Sequence, residues 1–169
     1  MKRVWRRQVG TGIIGGYMRQ AVRAVVVKSG KMLVMKRNKF GQVYYTLIGG
    51  RIELNETPEQ ALVRELGEEA GMTAKTARLI FIEKAGDPFG DQLIYLCDGV
   101  EGDPVLSPDS EEAHINALGK NLYEPMWLPI NELASVPFRS EVLKRKLLQG
   151  FASNFPESAE TFDPGNYHA

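Results

Sequence analysis

Short apolar runs alternate with polar punctuation along most of this chain. Residues 21–28 (AVRAVVVK) are short and rich in β-branched side chains, which predicts a strand. Ser29-Gly30 is a turn signal, and residues 32–36 can pair back as a hairpin. A polar loop is expected over 38–42, around Gly41, and a further strand over 43–47 that stops at Gly49-Gly50. Two more strands are expected over 79–83 and 92–97, separated by the Gly86-Asp87-Pro88-Phe89-Gly90 loop. Residues 101–120 read as a long polar connection, 124–128 as a last strand before Pro129, and 142–148 as a helix with a basic face of Lys144, Arg145 and Lys146.

Residues 58–70 have the clearest punctuation. Thr57 suits an N-cap, Pro58 the first helical position, and Gln60 completes a capping box. Gly71 stands where a left-handed C-terminal residue is needed. Strands, helix, strands and helix in that order predict an α/β protein with a mixed sheet and helices on its faces. The domain is expected over 1–152, with 153–169 as an ordered arm or loose tail.

Composition narrows the class. The chain has 169 residues, 43% hydrophobic and 25% charged, which suits one globular domain. No apolar run nears the roughly 18 residues of a membrane span; runs such as 24–27 are strand-sized. Arg6-Arg7 followed by Gly12-Ile13-Ile14-Gly15 is too short for a secretory signal. Cys97, the single cysteine, cannot form an internal disulfide, so a cytoplasmic location is expected.

Charge is zero overall but unevenly distributed. Residues 1–50 hold 11 Lys+Arg and no acid, whereas 51–118 hold 15 Asp+Glu against 5 Lys+Arg. Two solvated surfaces would give this pattern. So would a polyanion met by the basic part, with metal held by the acidic part.

On a helix advancing ~100° per residue, Glu68 and Glu69 fall near ~300° and ~40° from Glu65, a single carboxylate stripe beside the apolar one. These like charges repel, and they lie toward the helix C-terminus, where the macrodipole disfavours anions. Divalent cations would relieve the repulsion, since hard oxygen ligands suit Mg²⁺ or Mn²⁺. A solvated acidic helix end would carry the same residues.

Gly50, Glu56, Arg64, Glu65, Leu66, Glu68, Glu69, Gly71 and Met72 fill the pattern G-x5-E-x7-R-E-U-x-E-E-x-G-U, U being apolar. This segment resembles the signature of the Nudix hydrolases, and from Gly49 to Met72 it is especially similar to the MutT branch. Ile48 departs from the proline usual before the double glycine, which touches loop rigidity more than metal binding.

The resemblance implies a Nudix-like α/β/α sandwich with a mixed sheet. It implies hydrolysis of a nucleoside diphosphate linked to another moiety, by water attack on phosphorus, with Mg²⁺ as cofactor and Mn²⁺ able to substitute. By the same resemblance, the Gly49 carbonyl, Glu65, Glu68 and Glu69 are metal ligands. Arg64 orients the carboxylates, and Glu53 and Glu56 support the loop. A later glutamate, Glu111 or Glu112, with Glu112 preferred, is a further ligand or the base. Arg37, Lys39 and Tyr45 are the expected substrate contacts, although basic strand ends are often solvated and strand aromatics often pack in a core. His114 and His168 read as surface residues. A nucleotide-type small molecule is the expected partner. No membrane and no strong nucleic-acid signal are expected, and a homodimer is left open. The alternative is a Nudix-fold binding or regulatory domain without catalysis, although every signature glutamate is kept.

Overall fold

The computed structural model describes residues 19–165. Arg6, Arg7 and the rest of the N-terminal basic segment, together with His168, lie outside the described residues. The elements run β1 (Gln20–Lys28), β2 (Lys31–Lys39), β3 (Gln42–Thr46), α1 (Pro58–Ala70), β4 (Thr76–Lys84), β5 (Asp91–Asp98), α2 (Glu111–Asn116), β6 (Asn121–Pro129), a 3-10 turn (Ile130–Ser135), α3 (Glu141–Ser153) and β7 (Glu160–Phe162).

The strands form one mixed sheet in the order β3-β2-β1-β5-β4-β7, with β6 on β2. β1 runs parallel to β5 along its length but pairs antiparallel with β2 only at Val27 and Lys28. The far half of β2, from Met35 to Lys39, pairs with β3. β1 and β3 therefore take different ends of β2, and the sheet splits between them. The chain after β3 fills the split. The Val22 and Ala24 amides donate to the Gly50 and Ile48 carbonyls at 2.9 Å, and the Ile52 amide donates to Gln20 at 3.1 Å.

Both faces of the central strands are covered, which explains their nearly continuous apolar runs. Val22, Ala24, Val26, Leu33, Met35, Leu93 and Tyr95 pack toward Leu62 and Leu66 of α1. Val25, Met32, Val34, Ile80, Phe81 and Ile94 pack toward Leu143 and Leu147 of α3. The result is the α/β/α layering expected from the sequence.

Two local expectations change, and part of the tail is ordered. Residues 38–42 are not a five-residue loop: β2 reaches Lys39, and only Phe40 and Gly41, both at positive φ, make the turn. Pairing of Lys39 with both Gln42 and Asn121 holds this polar end extended. The 101–120 connection contains helix α2, capped by the Ser110 hydroxyl, which accepts from the Ala113 amide. Within the tail, β7 pairs in parallel with Phe81–Glu83.

Candidate active site

The turn into α1 is built from two close approaches. Gly49 has φ +138°, and a Cβ there would lie 2.1 Å from the Val22 carbonyl oxygen. A Cβ on Gly50 would lie 2.3 Å from Glu65 Oε1. Only glycines let this loop rest on β1 and let the Glu65 carboxylate lie against the loop. Thr57 and Gln60 form the expected capping box, and Gly71 closes α1 in the left-handed conformation. The strap after β5 satisfies the last helical carbonyls, with the Val105 amide on Ala70 and the Ser107 amide on Glu68.

Arg64 organises the acidic cluster. Its Nε and Nη2 donate to the two Glu56 carboxylate oxygens at 2.8 and 3.0 Å, and Nη1 donates to Glu65 at 2.8 Å and Glu68 at 3.4 Å. Nη2 also reaches the Arg51 carbonyl. The forked contact holds the Glu56 carboxyl below its usual range. Glu56 in turn accepts from the Glu53 amide, which closes the loop.

Glu65 and Glu69 are buried, whereas Glu68 is exposed. Burial pushes the Glu65 carboxyl up despite its contact with Arg64. It pushes Glu69 further, to about 8, against the hydrogen bond that its Oε2 accepts from the Gly49 amide at 2.8 Å. The charge of Glu112 raises both, so α2 presents this side chain to the cluster. Asn116 fixes α2 on β6 by a two-way bond with the Tyr123 backbone, at 2.7 and 2.8 Å.

A cavity of about 610 Å³ joins these groups to a cationic wall. Arg23 of β1 donates to the Gly49 carbonyl and, through Nε, to Gln92 Oε1 at 3.0 Å. Arg37 stands between its cross-strand neighbours Tyr44 and Tyr123, and its guanidinium lies 3.4 Å from the Tyr123 ring centre. Arg139, from the turn before α3, lines the same cavity.

The structure thus brings together Gly49, Glu65, Glu68, Glu69, Arg64, Glu112 and Arg37, with Glu53 and Glu111 at the same cavity. It does not bring in Lys39 or Tyr45. Lys39 lies beyond the cavity wall, at the hairpin end of β2. Tyr45 pairs with Lys36 and packs against the α3-side core, while Tyr44 carries the side chain that faces Arg37. His114 is exposed, as expected. Arg23 and Arg139 escaped sequence reasoning. For Arg23 a signal existed: it is the one charge inside an otherwise apolar strand buried on both faces. For Arg139 there was none.

The donor set is chemically suited to a hard divalent cation: carboxylate oxygens and a backbone carbonyl on one wall. Among the described residues no three His, Cys, Asp or Glu side chains close on a single point. Their oxygens are turned to Arg64 and the Gly49 amide, and the Gly49 carbonyl to Arg23. An ion bound here would exchange these contacts for metal contacts.

Comparison with known proteins agrees with this geometry. A family model described as NUDIX domain matches residues 18–151. An ADP-ribose pyrophosphatase of Methanocaldococcus jannaschii is 33% identical over 98 residues, covering 55% of this chain and 58% of that protein. An oxidized purine nucleoside triphosphate hydrolase of Danio rerio is 33% identical over 108 residues, covering 61% and 69%. The match to the archaeal relative thus spans less than two thirds of its length. A solved structure from a study of the Aliivibrio salmonicida and Vibrio cholerae MutT proteins superposes with TM-score 0.62 at 21% identity, over 79% of this chain and 98% of that one. With the family model matched across both halves of the split sheet and the signature loop seated in the split, the chain belongs to the NUDIX domain family.

Proposed function

We propose that this protein hydrolyses a nucleoside diphosphate linked to another moiety, with Mg²⁺ as cofactor and Mn²⁺ able to substitute. NUDIX hydrolases generally need a divalent metal. The observation that carries the reading is the pair of buried carboxylates, Glu65 and Glu69, set with Glu68 and Glu112 across a cavity from Arg23 and Arg37. Buried acids whose charge is disfavoured, facing cations in a cleft, mark a functional site more often than a structural one. The names of the relatives, a pyrophosphatase and a nucleoside triphosphate hydrolase, support the same reaction class.

Glu65, Glu68, Glu69 and the Gly49 carbonyl would hold the cation. When bound, it neutralises the pyrophosphate and makes water easier to deprotonate. Arg64 fixes the Glu65 and Glu68 carboxylates in place, and the Gly49 amide fixes Glu69. Glu112, on a helix tied down by Asn116, accepts the proton of the attacking water. Arg37 holds a phosphate oxygen. Its guanidinium is already stacked and largely desolvated, so little freedom is lost on binding.

No helix among the described residues is long and apolar enough to cross a membrane. A single cysteine, unable to form an internal disulfide, supports a cytoplasmic setting; Cys97 is buried, and burial pushes its thiol up to about 12, so it is unreactive. The test is a panel of nucleoside triphosphates, dinucleoside polyphosphates and nucleotide sugars in Mg²⁺, read by phosphate or pyrophosphate release. Turnover that disappears in EDTA and in Glu65→Gln supports the reading. No turnover on any member, with metal bound, leaves a binding domain without catalysis.

A further inference from the structure

The cavity has a second cationic pole, and the hydrolytic chemistry above leaves one member of it, Arg139, unexplained. Arg37 from β2 and Arg139 from the turn before α3 converge on Tyr44, their guanidinium carbons 5.7 and 5.6 Å from its ring centre. Both line the cavity. The two cations repel, and the charge of Arg139 works together with burial to disfavour a protonated Arg37. Arg37 is only 8% exposed. Its Nη2 donates to Asn121 Oδ1 at 2.8 Å, but its buried Nε has no hydrogen-bond partner. A desolvated guanidinium with an unmade donor costs stability unless an anion completes it.

Arg139 is anchored and not merely adjacent. Its amide donates to the Tyr45 carbonyl at 2.8 Å, and its Nη2 reaches the Tyr44 hydroxyl at 3.4 Å. Glu83, 1% exposed, lies close enough for the charge of Arg139 to act on its carboxyl, and Ser140 hydrogen-bonds to it. The aromatic rings at this pole are already engaged: Tyr123 lies under Arg37, and Tyr44 is buried between the arginines' reach. Each of these rings already has a guanidinium over it, so the groups that this pole presents are chiefly cationic.

We propose that Arg37 and Arg139 form one anion clamp, which takes a substrate phosphate beyond the anhydride being cleaved, and that Arg139 sets the preference for such substrates. The inference rests on the hydrolase reading given above and deepens it. The substrate class is a triphosphate end, favoured over a nucleoside diphosphate joined to a neutral sugar. A triphosphate end can belong to a free nucleotide or to the 5′ terminus of an RNA chain; the clamp's chemistry is the same for both.

The test compares wild type, Arg139→Gln and Arg139→Lys on three substrates sharing one base, in Mg²⁺: a nucleoside triphosphate, a 5′-triphosphorylated oligoribonucleotide and a nucleoside diphosphate sugar. In parallel, calorimetry measures tripolyphosphate binding in EDTA. Arg139→Gln should lower kcat/KM on the triphosphates about 10- to 100-fold, the scale of a lost charge-assisted hydrogen bond, and change the sugar compound by less than about threefold. Arg139→Lys should recover part of the loss. Tripolyphosphate binding should weaken by a similar factor. A rate advantage for either triphosphate supports the clamp, and the faster one identifies its source. Equal losses on all three substrates, or unchanged kinetics and binding, would overturn it. If none of the three is cleaved, the hydrolase reading fails by itself, and the tripolyphosphate arm alone decides the clamp.

Discussion

Replacing Glu69 by glutamine removes the most strongly perturbed carboxyl of the site while keeping its volume. The glutamine carbonyl can still accept from the Gly49 amide, the one hydrogen bond that holds Glu69 to the loop. In the folded protein burial holds this carboxyl protonated up to about pH 8, against an ordinary value of 4.5. The folded pKa lies above the unfolded one. Stability is therefore greatest below about pH 4.5 and is lost as pH rises toward 8, because the unfolded chain ionises first. At pH 7 the upper bound on this loss is about 3 kcal/mol. Water entry and movement of Arg23 reduce it, so the expected gain for Glu69→Gln is about 1–3 kcal/mol at pH 7.5. Urea titrations in EDTA at pH 5 and pH 7.5 measure it directly. The two proteins should agree within about 0.5 kcal/mol at pH 5 and separate at pH 7.5, with unchanged m-values. Saturating Mg²⁺ should then stabilise wild type more than the variant, because the ion repays a carboxylate charge that the variant lacks. Parallel pH profiles, or a variant less stable in EDTA at pH 7.5, would refute the reasoning.

Three further outcomes follow from the same geometry. Gly49→Ala should cost about 3 kcal/mol or more and lower Tm by about 6–12 °C in a thermal melt, because a Cβ would collide with the Val22 carbonyl at a strained φ. Arg64→Ala should cost about 2–4 kcal/mol in chemical denaturation and reduce turnover, since it leaves Glu56 and Glu65 without their shared cation; Arg64→Lys should restore only part, lacking the fork. Glu112→Gln should keep the rise of Tm with Mg²⁺ but lose turnover by about 100-fold or more, measured at saturating substrate.

Much of the site was legible because α1 carries its own instructions. Thr57, Gln60, Pro58 and Gly71 mark its ends, and helical spacing alone puts Glu65, Glu68 and Glu69 on one stripe. Burial of Glu65 and Glu69 was not legible, since it depends on a loop laid against the helix by Gly49 and Gly50. Neither was the cationic wall. Tyr44 and Tyr45 are adjacent and chemically alike, and only the register of β3 on β2 decides that Tyr44 meets Arg37 while Tyr45 packs, half-buried, against the α3-side core. Lys39 suffers from the same two-residue period, standing one pleat too far along β2. Arg139 reaches the cavity through a tertiary bridge between Phe138 and Tyr45, which leaves no local trace. Helix α2 is six residues long with no buried residue, too short for an apolar stripe to announce it.

On the reading proposed above, the carboxylate wall and the cationic wall together direct water onto phosphorus. This is tested most directly by turnover of a nucleoside triphosphate with Mg²⁺ in water enriched in heavy oxygen, followed by mass spectrometry of the products. One heavy oxygen is expected on a phosphate product, formed by wild type and not by Glu65→Gln or in EDTA. Unlabelled products, or equal labelling by the Glu65 variant, would contradict it.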